Sequence, residues 1–248
     1  MGRIAAAGRP VKGNIMRESI LTIPVNDVFM PRCGCPICRM RDTVEQHISE
    51  YIMGAAMMEP DVRIETNRLG FCHTHFNLLL QQNNRLSLGL MLETHLAEKE
   101  KEIFSGGLPF MRGGKAKKAE RVTETCFVCE KVEWGVNHTL ETVFNMYVKD
   151  PAFKKLFAGQ EYICLPHYTM LRGKAQQQMS KGDFADFDKA LTKLVGDYMR
   201  SLQQDVSEFC KSFDYRNAGK LHNEEMEHVR SSVLRAIQFL TGREGTDK

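Results

Sequence analysis

A chain of 248 residues with 42% hydrophobic and 26% charged side chains carries enough apolar material for one large or two small cores, which excludes a disordered polymer. The net charge of +3 is a mild excess, short of the clustered basic bias of proteins that live on nucleic acid. No apolar run approaches the roughly 20 residues that cross a bilayer.

The chain opens with MGRIAAAGRPVKGN, which lacks the apolar stretch of a secretory signal. Residues 1–15 are therefore expected to be a flexible extension, and the protein is expected to be cytoplasmic. Cysteines in that compartment stay reduced, and cysteines in closely spaced pairs point to metal rather than to disulfides.

Cys35-Pro-Ile-Cys38 comes first and is predicted to open a helix over about 38–57, which Pro60 ends. Cys72-His73-Thr74-His75 follows, and the apolar residues Phe76, Leu79, Leu80, Leu86, Leu90 and Leu96 predict one long helix over about 73–104. A Gly- and Lys-rich stretch, 105–121, reads as a link. Cys126-Phe-Val-Cys129 then opens a second helix over about 129–148. Asp150-Pro151 caps a short helix after it, and Cys164-Leu-Pro-His167 starts another. Phe184, Phe187, Leu191, Leu194, Tyr198, Leu202, Val206 and Phe209 recur at helical spacing and mark a long amphipathic helix. Met226, Val229, Val233, Ile237 and Leu240 mark the last one, with Gly242 placed as a C-cap. No alternation of period two is present, so the fold class is all-α.

The two halves repeat. At an offset of 91, Cys35 and Cys38 fall on Cys126 and Cys129, His47 on His138, Glu50 on Glu141, and Pro60 on Pro151. After one inserted residue, Cys72 falls on Cys164 and His75 on His167. This duplication defines a first metal-binding unit, 16–104, and a second, 122–180. The C-terminal helices, 181–248, are expected to pack on the second unit.

Each repeat thus supplies Cys-x-x-Cys and Cys-x-x-His. Three thiolates and an imidazole complete a tetrahedron, the usual way structural zinc is held, and suit oxygen-loving cations poorly. Two zinc ions are expected, with iron–sulfur clusters on the same cysteines as the alternative. Because a unit too small for a full core gains most from its own metal, each repeat is expected to close its own site. Cys35, Cys38, Cys72 and His75 would form one, and Cys126, Cys129, Cys164 and His167 the other. Cys33 and His73 have no partner in the second copy and read as extras. Cys33 is a spare thiol that could swap in or respond to oxidants, with a partly exposed loop residue as the simpler reading. Cys210 lies on an apolar stripe and is expected in the core.

Other polar groups have weaker claims. His47 with Glu50, and His138 with Glu141, could orient metal ligands, although a helix-surface contact is the simpler reading. Glu225-x-x-His228 has di-iron spacing but no second copy. Asn84, Arg85, Glu93 and His95 could line a pocket, with helix–helix contacts as the default. Lys115, Lys117, Lys118 and Arg121 could meet phosphate, but acidic neighbours and the absence of an aromatic platform favour a solvated link.

The segments LTIPVNDVF, CPIC, EYIMGAAMMEPDVRIETNRLGFCHTHF, NRLSLGLMLETHL, FDYRN and AIQFLTG resemble an uncharacterised bacterial family, domain of unknown function number six-zero-six-two, from about Met16 to Gly242. Its members sometimes carry the name of ABC-transporter substrate-binding proteins, which the absent secretory signal does not support. The resemblance brings no catalytic residues. Closed metal sites, and the lack of a nucleophile–base pair or phosphate loop, point to a non-enzymatic scaffold that binds a protein partner. A redox-responsive or metal-handling protein is the alternative.

Overall fold

The computed structural model describes residues 22–104, 114–214 and 223–242. The expected extension 1–15, the first part of the expected link and the side chain of Glu225 lie outside the described residues. Among the described residues there are helices and no strands, as the periodicity requires. They are α1 (Ile23–Phe29), α2 (Pro36–Met53), α3 (Pro60–Leu69), α4 (His73–Gln81), α5 (Arg85–Phe104), α6 (Gly114–Glu124), α7 (Phe127–Lys149), α8 (Pro151–Ala158), α9 (Leu165–Gln178), α10 (Lys181–Ser212) and α11 (Asn223–Thr241), with a 3₁₀ turn at Ala55–Met58.

The chain divides into two compact units that are not the two sequence repeats. One is built from residues up to Arg39 together with Thr139–Lys248, the other from Met40–His138. The boundaries fall inside α2 and α7, so each of these long helices begins in one unit and ends in the other.

In the first unit, an aromatic core forms where α1, α7, α8 and α10 meet. Phe29 packs edge-on to Phe153 at 5.1 Å, and Tyr147 and Phe157 surround Phe187 at 5.0 and 5.2 Å. Such offset and edge-to-face pairs add to the burial of these large side chains. Asp150 caps α8 by accepting from the Ala152 N–H, with Pro151 behind it, as expected for that pair. The buried amide of Gln160 ties α8 to α1 by donating to the Phe29 carbonyl at 2.8 Å. The C-terminal helices α10 and α11 pack on α9 and on each other. Tyr162 stacks on Tyr198 at 4.3 Å, and Phe239 closes against both.

In the second unit, α3 lies against α5. Arg63 donates to the Leu90 carbonyl and to Thr94, and Thr94 donates to Asn67. His95 Nδ1 meets the Asn67 carbonyl at 2.8 Å, and Lys99 donates to the Arg68 carbonyl. The polar residues of α5 therefore hold one helix to the next. The single helix expected over 73–104 is two, because Asn84 accepts from the Ser87 N–H and caps α5, while its amide donates to the Met53 carbonyl. The expected link is partly helical: Lys118 and Arg121 on α6 bond to the carbonyl and the carboxylate of Glu102 on α5. Cys210 is exposed, not buried, since the outer end of α10 offers it no cover among the described residues.

Candidate metal centres

Eight cysteine and histidine side chains gather into two clusters, and the pairing crosses the repeats. One cluster is Cys35, Cys38, Cys164 and His167; the other is Cys72, His75, Cys126 and Cys129. Within each, the four ligand atoms lie within 4.8 Å of one another. The expectation that each repeat closes its own site is therefore wrong. The physical reason lies in bonds between segments distant in sequence. The Phe127 N–H donates to the Gly70 carbonyl and Thr125 to the Leu69 carbonyl, which sets the Cys126 knuckle beside Cys72 and His75. The Gly34 N–H donates to the Glu161 carboxylate, which sets the Cys35 knuckle beside Cys164.

Local sequence aims the ligands. Cys72 and Cys164 are the N-caps of α4 and α9, in extended conformation, so each sulfur and the histidine three residues later project to one side of a helix start. Cys38 and Cys129 sit in the first turns of α2 and α7. Each centre consequently lies at two helix N-termini, where the unsatisfied N–H groups and the helix dipole favour thiolate over thiol.

Different stitches hold the two knuckles. In the second unit the Phe127 N–H donates to the Gly70 carbonyl at 2.9 Å, and Thr125 donates to the Leu69 carbonyl at 2.7 Å. Gly70 is required there: its φ is +62°, and a Cβ would lie 2.7 Å from the His95 ring. In the first unit Gly34, at φ +63°, donates its N–H to the Glu161 carboxylate at 2.6 Å. The cap of α11 closes over this first centre: the Cys38 sulfur donates to the Gly242 carbonyl, and a Cβ on Gly242 would approach the Cys164 sulfur to 3.2 Å.

The donor spacings fit one ion in each cluster. A tetrahedron with metal–sulfur bonds of about 2.3 Å and a metal–nitrogen bond of about 2.0 Å has sulfur–sulfur edges of about 3.8 Å and sulfur–nitrogen edges of about 3.5 Å. The first centre shows Cys38–Cys164 at 3.7 Å, with His167 Nδ1 at 3.5, 3.3 and 3.1 Å from Cys35, Cys38 and Cys164. The second shows Cys72–Cys129 at 3.9 Å, with His75 Nδ1 at 3.1, 3.2 and 3.4 Å from Cys72, Cys126 and Cys129.

The same atoms share protons when no ion holds them together. Burial opposes a charge on His75, but the Cys126 sulfur and the Glu45 carboxylate outweigh it and push the imidazole up to about 10. Burial likewise raises the Cys126 thiol, and its bond to His75 more than reverses this, bringing it down to about 6. Burial and the Cys126 and Cys72 sulfurs push Cys129 up to about 12. In the first centre burial raises Cys35, yet bonds from Cys164, Cys38 and His167 hold it well below the ordinary thiol range, while Cys164 and Cys35 push Cys38 up. In the second centre Cys126 and His75 thus form a thiolate–imidazolium pair, and an arriving cation must displace the protons the cluster holds.

Glu45 is the functional residue the sequence reading missed. Its Oε1 lies 2.8 Å from His75 Nε2, so it orients the ring and raises the basicity of the nitrogen facing the sulfurs. Its place on α2, two turns past Cys38, is the signal that could have found it. At the 91-residue offset stands Val136, so the duplicated centre has no counterpart. The pairs expected in that role lie elsewhere: Glu50 accepts from Gln46, and His138 packs on the ring of Trp134 at 4.2 Å. Cys33 is exposed, with the Arg39 guanidinium 3.3 Å from its sulfur, and His73 pairs with Asn77; neither belongs to a cluster. His228 meets Asp205 at 3.1 Å and joins no cluster either.

Among the described residues, no helix is long and apolar enough to cross a membrane. No curated protein and no solved structure matches the chain. A family model does match, over residues 16–247, and the two clusters lie wholly inside that span. The chain belongs to the family of unknown function DUF6062.

Proposed function

We propose that the protein is a non-enzymatic helical scaffold, stabilised by two zinc ions, that presents its surface to a protein partner. The observation that carries this reading is the pair of closed donor sets. Four protein ligands at single-ion spacing leave no position for a water or substrate, which is how structural zinc differs from catalytic zinc. The short sulfur–sulfur distances also favour one ion over an iron–sulfur cluster, because a cluster places several iron and sulfide atoms between its cysteines. Exposed aliphatic residues, among them Leu234, Ile237 and Leu240 on α11 and Leu86 and Leu96 on α5, offer apolar surface to a partner.

The test is the metal content and visible spectrum of protein purified without oxygen. Colourless protein with two zinc ions per chain is expected. Brown protein containing iron and sulfide would replace this reading with the redox one. The exposure of Cys129 favours a second reading, in which the protein also handles metal.

A further inference from the structure

The two centres have the same donor set but different cover. In the first, Cys35, Cys164 and His167 are 4, 0 and 9% exposed, Cys38 is half-buried, and the Gly242 turn lies against two of the sulfurs. In the second, His75 and Cys126 are 4 and 5% exposed, Cys72 is half-buried, and Cys129 is open to solvent. The ring of His75 is fixed from behind by Glu45.

The structure assigns unequal roles to them, and we propose that the Cys72/His75/Cys126/Cys129 centre is a metal-exchange site, opened at Cys129, while the other centre is permanent. This rests on the reading of both clusters as single-ion zinc sites. A tetrahedral ion bound by four protein ligands exchanges when an incoming donor reaches it as one resident donor leaves. In the first centre Cys35 and Cys164 are buried and half-buried Cys38 lies against the Gly242 carbonyl, so an incoming ligand has a narrower approach than in the second. In the second, a small thiol or chelator can reach the ion along the Cys129 face. Its thiol proton goes to solvent as its sulfur bonds the ion; the bond to Cys129 breaks, and that thiolate takes up a proton. Nothing is oxidised. His75, held by Glu45, and buried Cys126 are the ligands that stay longest. The chemistry fits a zinc-buffering or zinc-sensing role, with a low-molecular-weight thiol or a metal-binding partner as the exchanging ligand.

The experiment uses the full chain loaded with two zinc ions, its content measured first. A chromogenic chelator in excess is added and release is followed in time. Two phases are expected, one zinc each, with the fast phase about tenfold or more faster than the slow one, the scale on which ligand environment shifts zinc binding. In Cys129→Ser the fast phase should vanish and the slow one persist. In parallel, the loaded wild-type chain is alkylated with iodoacetamide and mapped by mass spectrometry, which requires no variant to fold. Cys129 should be modified in step with the fast release, after exposed Cys33 and Cys210 and well before Cys35 and Cys164. Release of both ions in one phase, a fast phase that survives in Cys129→Ser, or alkylation of Cys35 and Cys164 as early as Cys129 would each overturn the assignment. A chain that binds no zinc would overturn the underlying reading as well, and the initial content shows which has failed.

Discussion

The Cys38 sulfur lies 3.7 Å from the Cys164 sulfur, 126 positions further along the chain. The two belong to different repeats, and their contact means that neither repeat holds a complete donor set. The consequence is measurable in pairs of substitutions. Cys38→Ser with Cys164→Ser removes two ligands from one centre and should cost one zinc per chain. Cys38→Ser with Cys72→Ser removes one ligand from each centre and should cost both. Sites closed within each repeat would give the reverse, and zinc analysis after gel filtration decides between them.

A fragment of residues 1–113 contains Cys35, Cys38, Cys72 and His75, half of each centre. As a monomer it should retain no zinc at the affinity of the full chain, and it should lose helicity, since zinc binding at such sites is worth on the order of 10 kcal/mol of folding free energy. Size-exclusion chromatography with zinc analysis and circular dichroism checks this. A monomeric, helical fragment holding one zinc would contradict the crossed pairing.

Glu45→Gln keeps the shape of the side chain and removes its charge. Zinc affinity at the second centre should fall by about 10- to 100-fold, with the first centre unchanged, because this carboxylate bonds His75 of the second centre. Competition titration with a calibrated chelator would resolve the two sites. An equal loss at both would show that the substitution acts through general stability.

Cys33→Ser removes an exposed thiol that belongs to neither cluster. Both zinc ions should stay, and the melting temperature should change little, within the roughly 0.5 kcal/mol range of most surface substitutions. Loss of a zinc would make Cys33 a ligand.

Gly70→Ala places a Cβ 2.7 Å from the His95 ring at a residue with φ +62°. The backbone strain alone costs about 1–3 kcal/mol, because φ +62° with ψ −155° is a region essentially reserved for glycine. Because the Gly70 carbonyl receives the Phe127 N–H beside Cys126, the second centre should weaken along with the fold. Thermal melting and zinc retention should shift together; unaltered melting would mean that the turn relaxes freely.

Much of this was legible in the sequence. The eight residues that gather into the two clusters follow from two Cys-x-x-Cys and two Cys-x-x-His motifs at nearly one offset, because metal chemistry fixes residue type and local spacing. The all-α class and the Asp150-Pro151 and Gly242 caps follow from periodicity and backbone preference, which act within a few residues. Three-dimensional reach decided the rest. Which knuckle meets which histidine is set by bonds between segments distant in sequence, such as Phe127 to Gly70 and Gly34 to Glu161, and a spacing motif holds no information on them. Asn84 splits a helix that its leucines alone would continue, because it can cap α5 and bond Met53 at once. Cys210 sits on an apolar stripe yet faces solvent, and Glu45 reaches a centre other than the one its own helix opens, because burial and contact are set by neighbours distant in sequence.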